Sequence, residues 1–252
     1  MPILWVTLTA FIAGAVNAVA GGGTFLAFPA LTGIAGLSEK AANIGCTIGL
    51  WPGSATSVIP AAPRLLRLPR RVVISYMLVC LAGGVIGSFL LRYTPERSFR
   101  LAIPWLLGFA TLVFSLGNRV ARWAGRDGQP HSTGWLVFSG CVQFVIAIYG
   151  GYFGAGIGVL TLAGLSVSGL GDIQKINALK VLLSTCTNLT AAIVFLFGPV
   201  AWRFIAPMAV ASAGGGFIGM MVAQRLPQKV LRGVILAVGI GLTGYYFWNV
   251  YG

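Results

Sequence analysis

Asn177 and Lys180 put an amide and a cation inside a stretch, 173–200, that is otherwise apolar enough to cross a membrane. An ammonium near the centre of such a helix costs on the order of 3 kcal/mol on insertion scales. A negatively charged ligand is the simplest compensation. Ser184 and Asn188 follow at i+7 and i+11 from Asn177, so the four residues share one helix face. In the first half of the chain Asn43, Thr47 and Ser54 fall at i, i+4 and i+11 in the same way. A polar stripe on a spanning helix is expected to face a protein interior or a cavity. Two plainer expectations compete with it: hydrogen bonding between helices by Ser, Thr and Asn, and a lysine near a helix start whose amine snorkels to the interface.

Glycines supply the second element of a site. Gly21, Gly22 and Gly23, and later Gly150, Gly151, Gly154, Gly156 and Gly158, interrupt apolar runs. Backbone freed there can unwind into a tip, and the helix that follows presents unpaired N–H groups and a positive dipole end. Close helix packing is the competing expectation. It is the preferred one for Gly83, Gly84, Gly87, Gly215, Gly216 and Gly219. The four acids, Glu39, Glu96, Asp127 and Asp172, all fall at loops or helix ends, leaving no carboxylate at membrane depth. An amine and helix N-termini without acids make an anion site, not a cation path or a carboxylate proton relay.

No enzyme chemistry is legible. His131 is the single histidine and lies in a polar loop, and Cys46, Cys80, Cys141 and Cys186 are isolated within apolar runs. Their spacing suits neither a zinc site nor a redox pair. No cofactor and no metal are expected. The chain is 57% hydrophobic and 8% charged, against about 25% charged in soluble domains. The runs do not alternate as barrel strands do. They predict an all-α polytopic membrane protein in contact with the lipid bilayer. The net charge of +13 does not predict nucleic-acid binding, because the cations sit in short loops beside spans, as the positive-inside rule describes. Ala18-Val19-Ala20 resembles a signal-peptide cleavage site, but no basic region precedes it and the motif recurs mid-chain, so it is expected to be mature structure.

The chain is written twice. Residues 20–24 answer 153–157, 37–43 answer 170–177, the Gly83–Gly87 motif answers Gly215–Gly219, and 95–100 answer 227–232, all in order. A first membrane repeat is expected over 1–117, a cytoplasmic linker over 118–133 and a second repeat over 134–252. Each repeat opens with a glycine-broken pair (3–20 with 25–36, and 135–149 with 157–170). Three full spans follow in each: 40–62, 72–91 and 99–117, then 173–198, 203–224 and 230–250. The second pieces of the pairs hold 12 to 14 residues, which reach only about 20 Å at 1.5 Å per residue. They form either kinked single crossings or re-entrant hairpins. Single crossings divide the loop cations eight and eight between the two sides, and hairpins divide them eleven and five. The positive-inside rule selects hairpins, which makes the two repeats inverted and places both termini outside, in the periplasm. Inverted repeats with broken helices are a transporter architecture.

Residues 150–188, GGYFGAGIGVLTLAGLSVSGLGDIQKINALKVLLSTCTN, and residues 17–57, NAVAGGGTFLAFPALTGIAGLSEKAANIGCTIGLWPGSATS, resemble the two repeat signatures of the sulfite exporter TauE/SafE family. The resemblance implies a bacterial or archaeal inner-membrane permease for sulfite, sulfonates or other sulfur-containing anions. The residues alone reach only a small anionic substrate. At Trp51-Pro52 the chain departs from the small or polar residue frequent in that family. The expectation is a secondary transporter working by alternating access, with Asn43, Thr47, Ser54, Asn177, Lys180, Ser184, Asn188, Gly21, Gly22, Gly23, Gly154 and Gly156 at a midplane substrate site. An anion channel and a non-transporting scaffold or accessory subunit are the alternatives, and homo-oligomerisation stays open.

Overall fold

The computed structural model describes residues 1–124, 133–166, 173–222 and 228–252, and the side chains at 1–116, 134, 136–165, 174–222 and 233–252. The described chain is helical: α1 (Pro2–Ala20), α2 (Thr24–Pro29), a π-helical turn (Ala30–Ile34), α3 (Glu39–Leu65), α4 (Arg70–Tyr93), α5 (Glu96–Ala124), α6 (Thr133–Tyr152), α7 (Ile157–Ser166), α8 (Ile173–Leu196), α9 (Trp202–Val222) and α10 (Gln228–Tyr251). The spans expected from hydropathy each coincide with a helix to within a few residues. The exception is the end of α5, which continues to Ala124 where a span ending at 117 was expected. The rest of the expected linker, 125–132, lies outside the described residues.

Among the described residues six helices, α1, α4, α5, α8, α9 and α10, are long and apolar enough to cross a bilayer. At 27 residues α3 has the length, about 40 Å at 1.5 Å per residue. It lacks the apolarity, because it carries Asn43, Thr47, Ser54 and Ser57, all buried. Its place inside the bundle explains that composition: it packs against both α8 and α9. The outward faces of α1, α5 and α10 expose Leu8, Ile12, Leu112 and Ile240, the side chains a hydrocarbon solvent accepts.

Residue order along the contacts fixes helix directions. Phe11 of α1 meets Gly215 of α9 and Ala15 meets Gly219, so α1 and α9 run parallel. Gly45, Gly49 and Gly53 of α3 meet Ile205, Met208 and Ser212, so α3 also runs with α9. Two helices that run alike must be separated by a return, so α1 and α2 form a hairpin. The same holds later. Gly83 of α4 meets Ala147 of α6 and Gly87 meets Ile148, while Gly84 meets Thr187 of α8 and Arg92 hydrogen-bonds the Val194 carbonyl. Both α6 and α8 therefore run with α4, and α6 and α7 form the second hairpin. Exposed Trp5, Trp105, Trp202 and Trp248 gather at the end of the bundle where α1, α5 and α9 begin and α10 finishes, as interfacial aromatics do.

The interfaces α1–α9, α3–α9 and α4–α6 rest on small residues. A methyl at Gly87, Gly215 or Gly216 would collide with the backbone carbonyl of Ile148, Phe11 or Gly53. Helices this close gain dispersion contacts and short interhelical bonds. Ser212 donates to the Gly49 carbonyl at 2.6 Å and Thr56 to the Ala213 carbonyl at 2.8 Å. The packing expectation for these glycines holds.

Candidate functional site

Each hairpin turns on glycine. Gly21 ends α1 at φ 74°, its N–H bonding the Asn17 carbonyl, and Gly154 follows α6 at φ 76°. A residue with a Cβ pays about 1–2 kcal/mol in this left-handed region, so glycine is the natural terminator. The two tips meet backbone to backbone: a methyl on Gly21 would stand 2.5 Å from Gly158 Cα, and one on Gly158 would stand 2.6 Å from Gly21 Cα.

A broken helix end leaves carbonyls without partners and a partial negative charge. Here the post-hairpin helix of the opposite half supplies the donors. Lys180 of α8 reaches the Val19 carbonyl at the end of α1 at 3.4 Å, and Asn43 of α3 donates from Nδ2 to the Tyr152 carbonyl at the end of α6 at 3.0 Å. The capped positions correspond in the two copies. Lys180 is buried, 6% exposed, so its amine does not sit among lipid headgroups. The snorkelling expectation for it is set aside.

A cavity lies beside this contact. Asn17, Ala18 and Gly21 line it from α1, Ser54 and Ser57 from α3, Ile157 and Gly158 from the first turn of α7, and Lys180, Val181 and Ser184 from α8. Its polar side chains are one amine, one amide and three hydroxyls. Asn17 Nδ2 donates to Ser54 Oγ at 2.9 Å, and the Ser57 hydroxyl donates to the Ser54 carbonyl at 2.7 Å. Ser184 Oγ is buried with no hydrogen-bond partner among the described residues, an orphan that a ligand or a water would satisfy. The start of α7 adds the positive end of a helix dipole. Among the described residues no acidic side chain lines the cavity, and no group of three His, Cys, Asp or Glu could hold a metal. A small anion suits this lining and a cation does not.

The cavity is narrow. Only about 10 Å³ of it is reachable by the centre of a water molecule, roughly what a single water needs. Cargo requires the walls to part.

Of the residues expected at the site, Gly21, Ser54, Lys180 and Ser184 line this cavity. Gly154 and Gly156 shape the second tip, Gly23 packs on the α1 backbone at Ala13, and Gly22 packs between Ile235 and Phe114. Asn43 caps α6, Thr47 bonds the Asn43 carbonyl at 3.1 Å, and Asn188 is buried beyond the cavity. Asn177 is half-buried one turn before Lys180. Asn17 and Ser57 were not among the expected residues. Asn17 carried a usable signal, a lone amide within the apolar run 3–20. Ser57 lies one turn past Ser54 on the same face and was legible only by extending the stripe.

Ser184→Ala tests whether the orphan hydroxyl serves cargo. No protein hydrogen bond is lost, so unfolding stability should move by less than about 0.5 kcal/mol. A hydrogen bond to a charged ligand is worth about 1.5 kcal/mol, so the KM for the transported anion should rise about tenfold. Flux assays on the purified variant, read beside its melting curve, check both parts.

Comparisons with known proteins identify the family. The family described as sulfite exporter TauE/SafE matches residues 6–246. A Sinorhizobium protein named "Probable membrane transporter protein ORF9" is 28% identical over 240 residues, covering 94% of this chain and 88% of that one. "Probable membrane transporter protein YfcA" of Escherichia coli strain K12 is 26% identical over 254 aligned positions, covering 96% and 88%. A "Probable membrane transporter protein" of Haemophilus influenzae is 23% identical over 237, covering 92% and 89%. No solved structure matches the chain. With six helices among the described residues able to span a bilayer and a family match over residues 6–246, the chain is a multi-pass membrane transporter and belongs to the sulfite exporter TauE/SafE family.

Proposed function

We propose that the protein is a secondary transporter of small anions, sulfite or an organosulfonate being the cargo, and that it works by alternating access around the Lys180 cavity. The observation that carries this reading is the buried Lys180 amine beside the unpartnered Ser184 hydroxyl, in a cavity without an acid among its described lining residues. Sulfur enters from the family's description; the lining alone selects for negative charge and small size. An open anion channel is the weaker reading, because the cavity admits about one water and no more.

The halves 1–117 and 134–252, joined by 118–133, are taken as inverted repeats. Supporting this, α3 runs with α9 and α8 with α4, while only residues 66–69 separate α3 from α4 and 197–201 separate α8 from α9. Helices joined by such short links run oppositely, so α3 and α8 do too. In line with this, α5 and α10 pair antiparallel, Arg100 with Asn249, Gly108 with Thr243 and Thr111 with Gly239. Rocking of one half against the other would separate Gly21 from Gly158 and open the cavity to each side in turn. The face carrying Arg64, Arg67, Arg70 and Arg71 is assigned to the cytoplasm by the positive-inside rule. That puts the protein in the cytoplasmic membrane with both termini in the periplasm.

A thermal-shift screen of purified protein against sulfite, taurine, alkanesulfonates, sulfate and acetate tests the cargo class. Stabilisation by sulfite or a sulfonate, lost in Lys180→Met, is expected. Stabilisation by acetate alone would replace the sulfur reading, and no stabilisation by any anion would remove the anion site.

A further inference from the structure

Where α3 ends and α8 begins, cations wall a second space. Arg64 and Arg67 from α3 and Lys175 and Gln174 from α8, with Pro60 and Pro63, line a vestibule with about 340 Å³ open to the centre of a water molecule. On the same measure the inner cavity has about 10 Å³. Among the described residues no acidic side chain lines the vestibule. Both spaces lie along the same pair of helices. Ser57 precedes Arg64 by seven residues and Gln174 precedes Val181 by seven, which is two helical turns or about 10 Å. Asn177 lies on α8 between them. The vestibule therefore stands over the cavity along one groove.

Three cations of the opposite face, Lys40, Arg92 and Arg100, are used differently. Lys40 donates to the Arg92 and Thr94 carbonyls, Arg92 to the Val194 and Phe197 carbonyls, and Arg100 lies 3.7 Å from Glu39. Those side chains cap helix ends and pair with an acid; Arg64 and Arg67 border open volume, with Lys175 on the facing wall. Guanidinium groups present paired donors that match the oxygens of a tetrahedral or pyramidal oxyanion.

We propose that this vestibule is a second oxyanion-binding site, distinct from the Lys180 cavity, which captures an anion from water before it moves inward. The inward step rests on the transport reading; the binding does not. The same donors fit a free oxyanion and a phospholipid phosphate.

The test uses the full chain in nanodiscs of zwitterionic lipid, titrated calorimetrically with sulfite and with inorganic phosphate. Arg64→Gln/Arg67→Gln/Lys175→Gln should weaken binding at least tenfold, while Lys180→Met retains this outer binding. Arg70→Gln/Arg71→Gln alters neighbouring charge without touching the vestibule and should bind as the unmodified protein does. A lipid source would show as loss of outer binding in anionic-lipid nanodiscs, together with fewer co-purified phospholipids in the triple variant. Equal binding of both anions and equal lipid retention by the triple variant would overturn the proposal. So would an equal loss in the Arg70/Arg71 variant, which would mean diffuse attraction. Outer binding that persists in a protein showing no flux would retain the vestibule and remove the transport reading instead.

Discussion

Lys180→Met is expected to cut anion flux about a hundredfold while leaving the protein folded in the membrane. Removing one partner of a buried, hydrogen-bonded charge pair costs about 2–5 kcal/mol, and each 1.4 kcal/mol is a factor of ten. The amine has a second contact, the Val19 carbonyl at 3.4 Å. Losing it leaves that helix end without its cation, at about 1 kcal/mol. The two roles separate experimentally. If Lys180 serves only as a cap for α1, the variant melts lower but each folded molecule carries anion at the normal rate. If it also holds cargo, flux per folded molecule collapses, and Lys180→Arg, which keeps the charge, restores part of it. Flux normalised to folded protein distinguishes the two.

Gly21→Ala is the second large effect, and it acts on the fold. Its φ of 74° costs a residue with a Cβ about 1–2 kcal/mol. The added methyl would stand 2.5 Å from Gly158 Cα, where only backbone can give way, adding about 1–3 kcal/mol of overpacking. A loss of about 3 kcal/mol is therefore expected. Gly158→Ala should cost less than Gly21→Ala, since only the contact term applies. Gly33→Ala meets nothing within 4 Å and should change stability by under about 0.5 kcal/mol. Denaturant or thermal unfolding of the three purified variants gives the order directly. Equal stability for Gly158→Ala and Gly33→Ala would show that the tips do not touch.

Much of this architecture is written locally and so could be read from sequence. Apolar run length fixes which helices can span a bilayer. Glycine clusters fix where α1 and α6 must stop, since residues 21 and 154 need a left-handed backbone. Loop cations chose hairpins over kinked crossings, and the parallel course of α1 and α3 beside α9 agrees. What sequence could not supply were contacts between residues far apart. Lys180 and Val19 are 161 positions apart, and Asn43 and Tyr152 are 109 apart. Helical periodicity places Asn43, Thr47 and Ser54 on one face, but α3 packs against both α8 and α9. Only the part of that face near Ser54 and Ser57 reaches the cavity. Asn43 meets a helix end instead, so one polar stripe serves two purposes.

Counterflow of labelled sulfite tests the account at its centre. Proteoliposomes holding the purified chain and loaded with unlabelled sulfite should transiently accumulate labelled sulfite against its gradient. That overshoot should saturate with concentration and vanish in Lys180→Met. Passive equilibration without an overshoot would mean an open pore, and an overshoot undiminished in Lys180→Met would place the cargo somewhere other than beside this lysine.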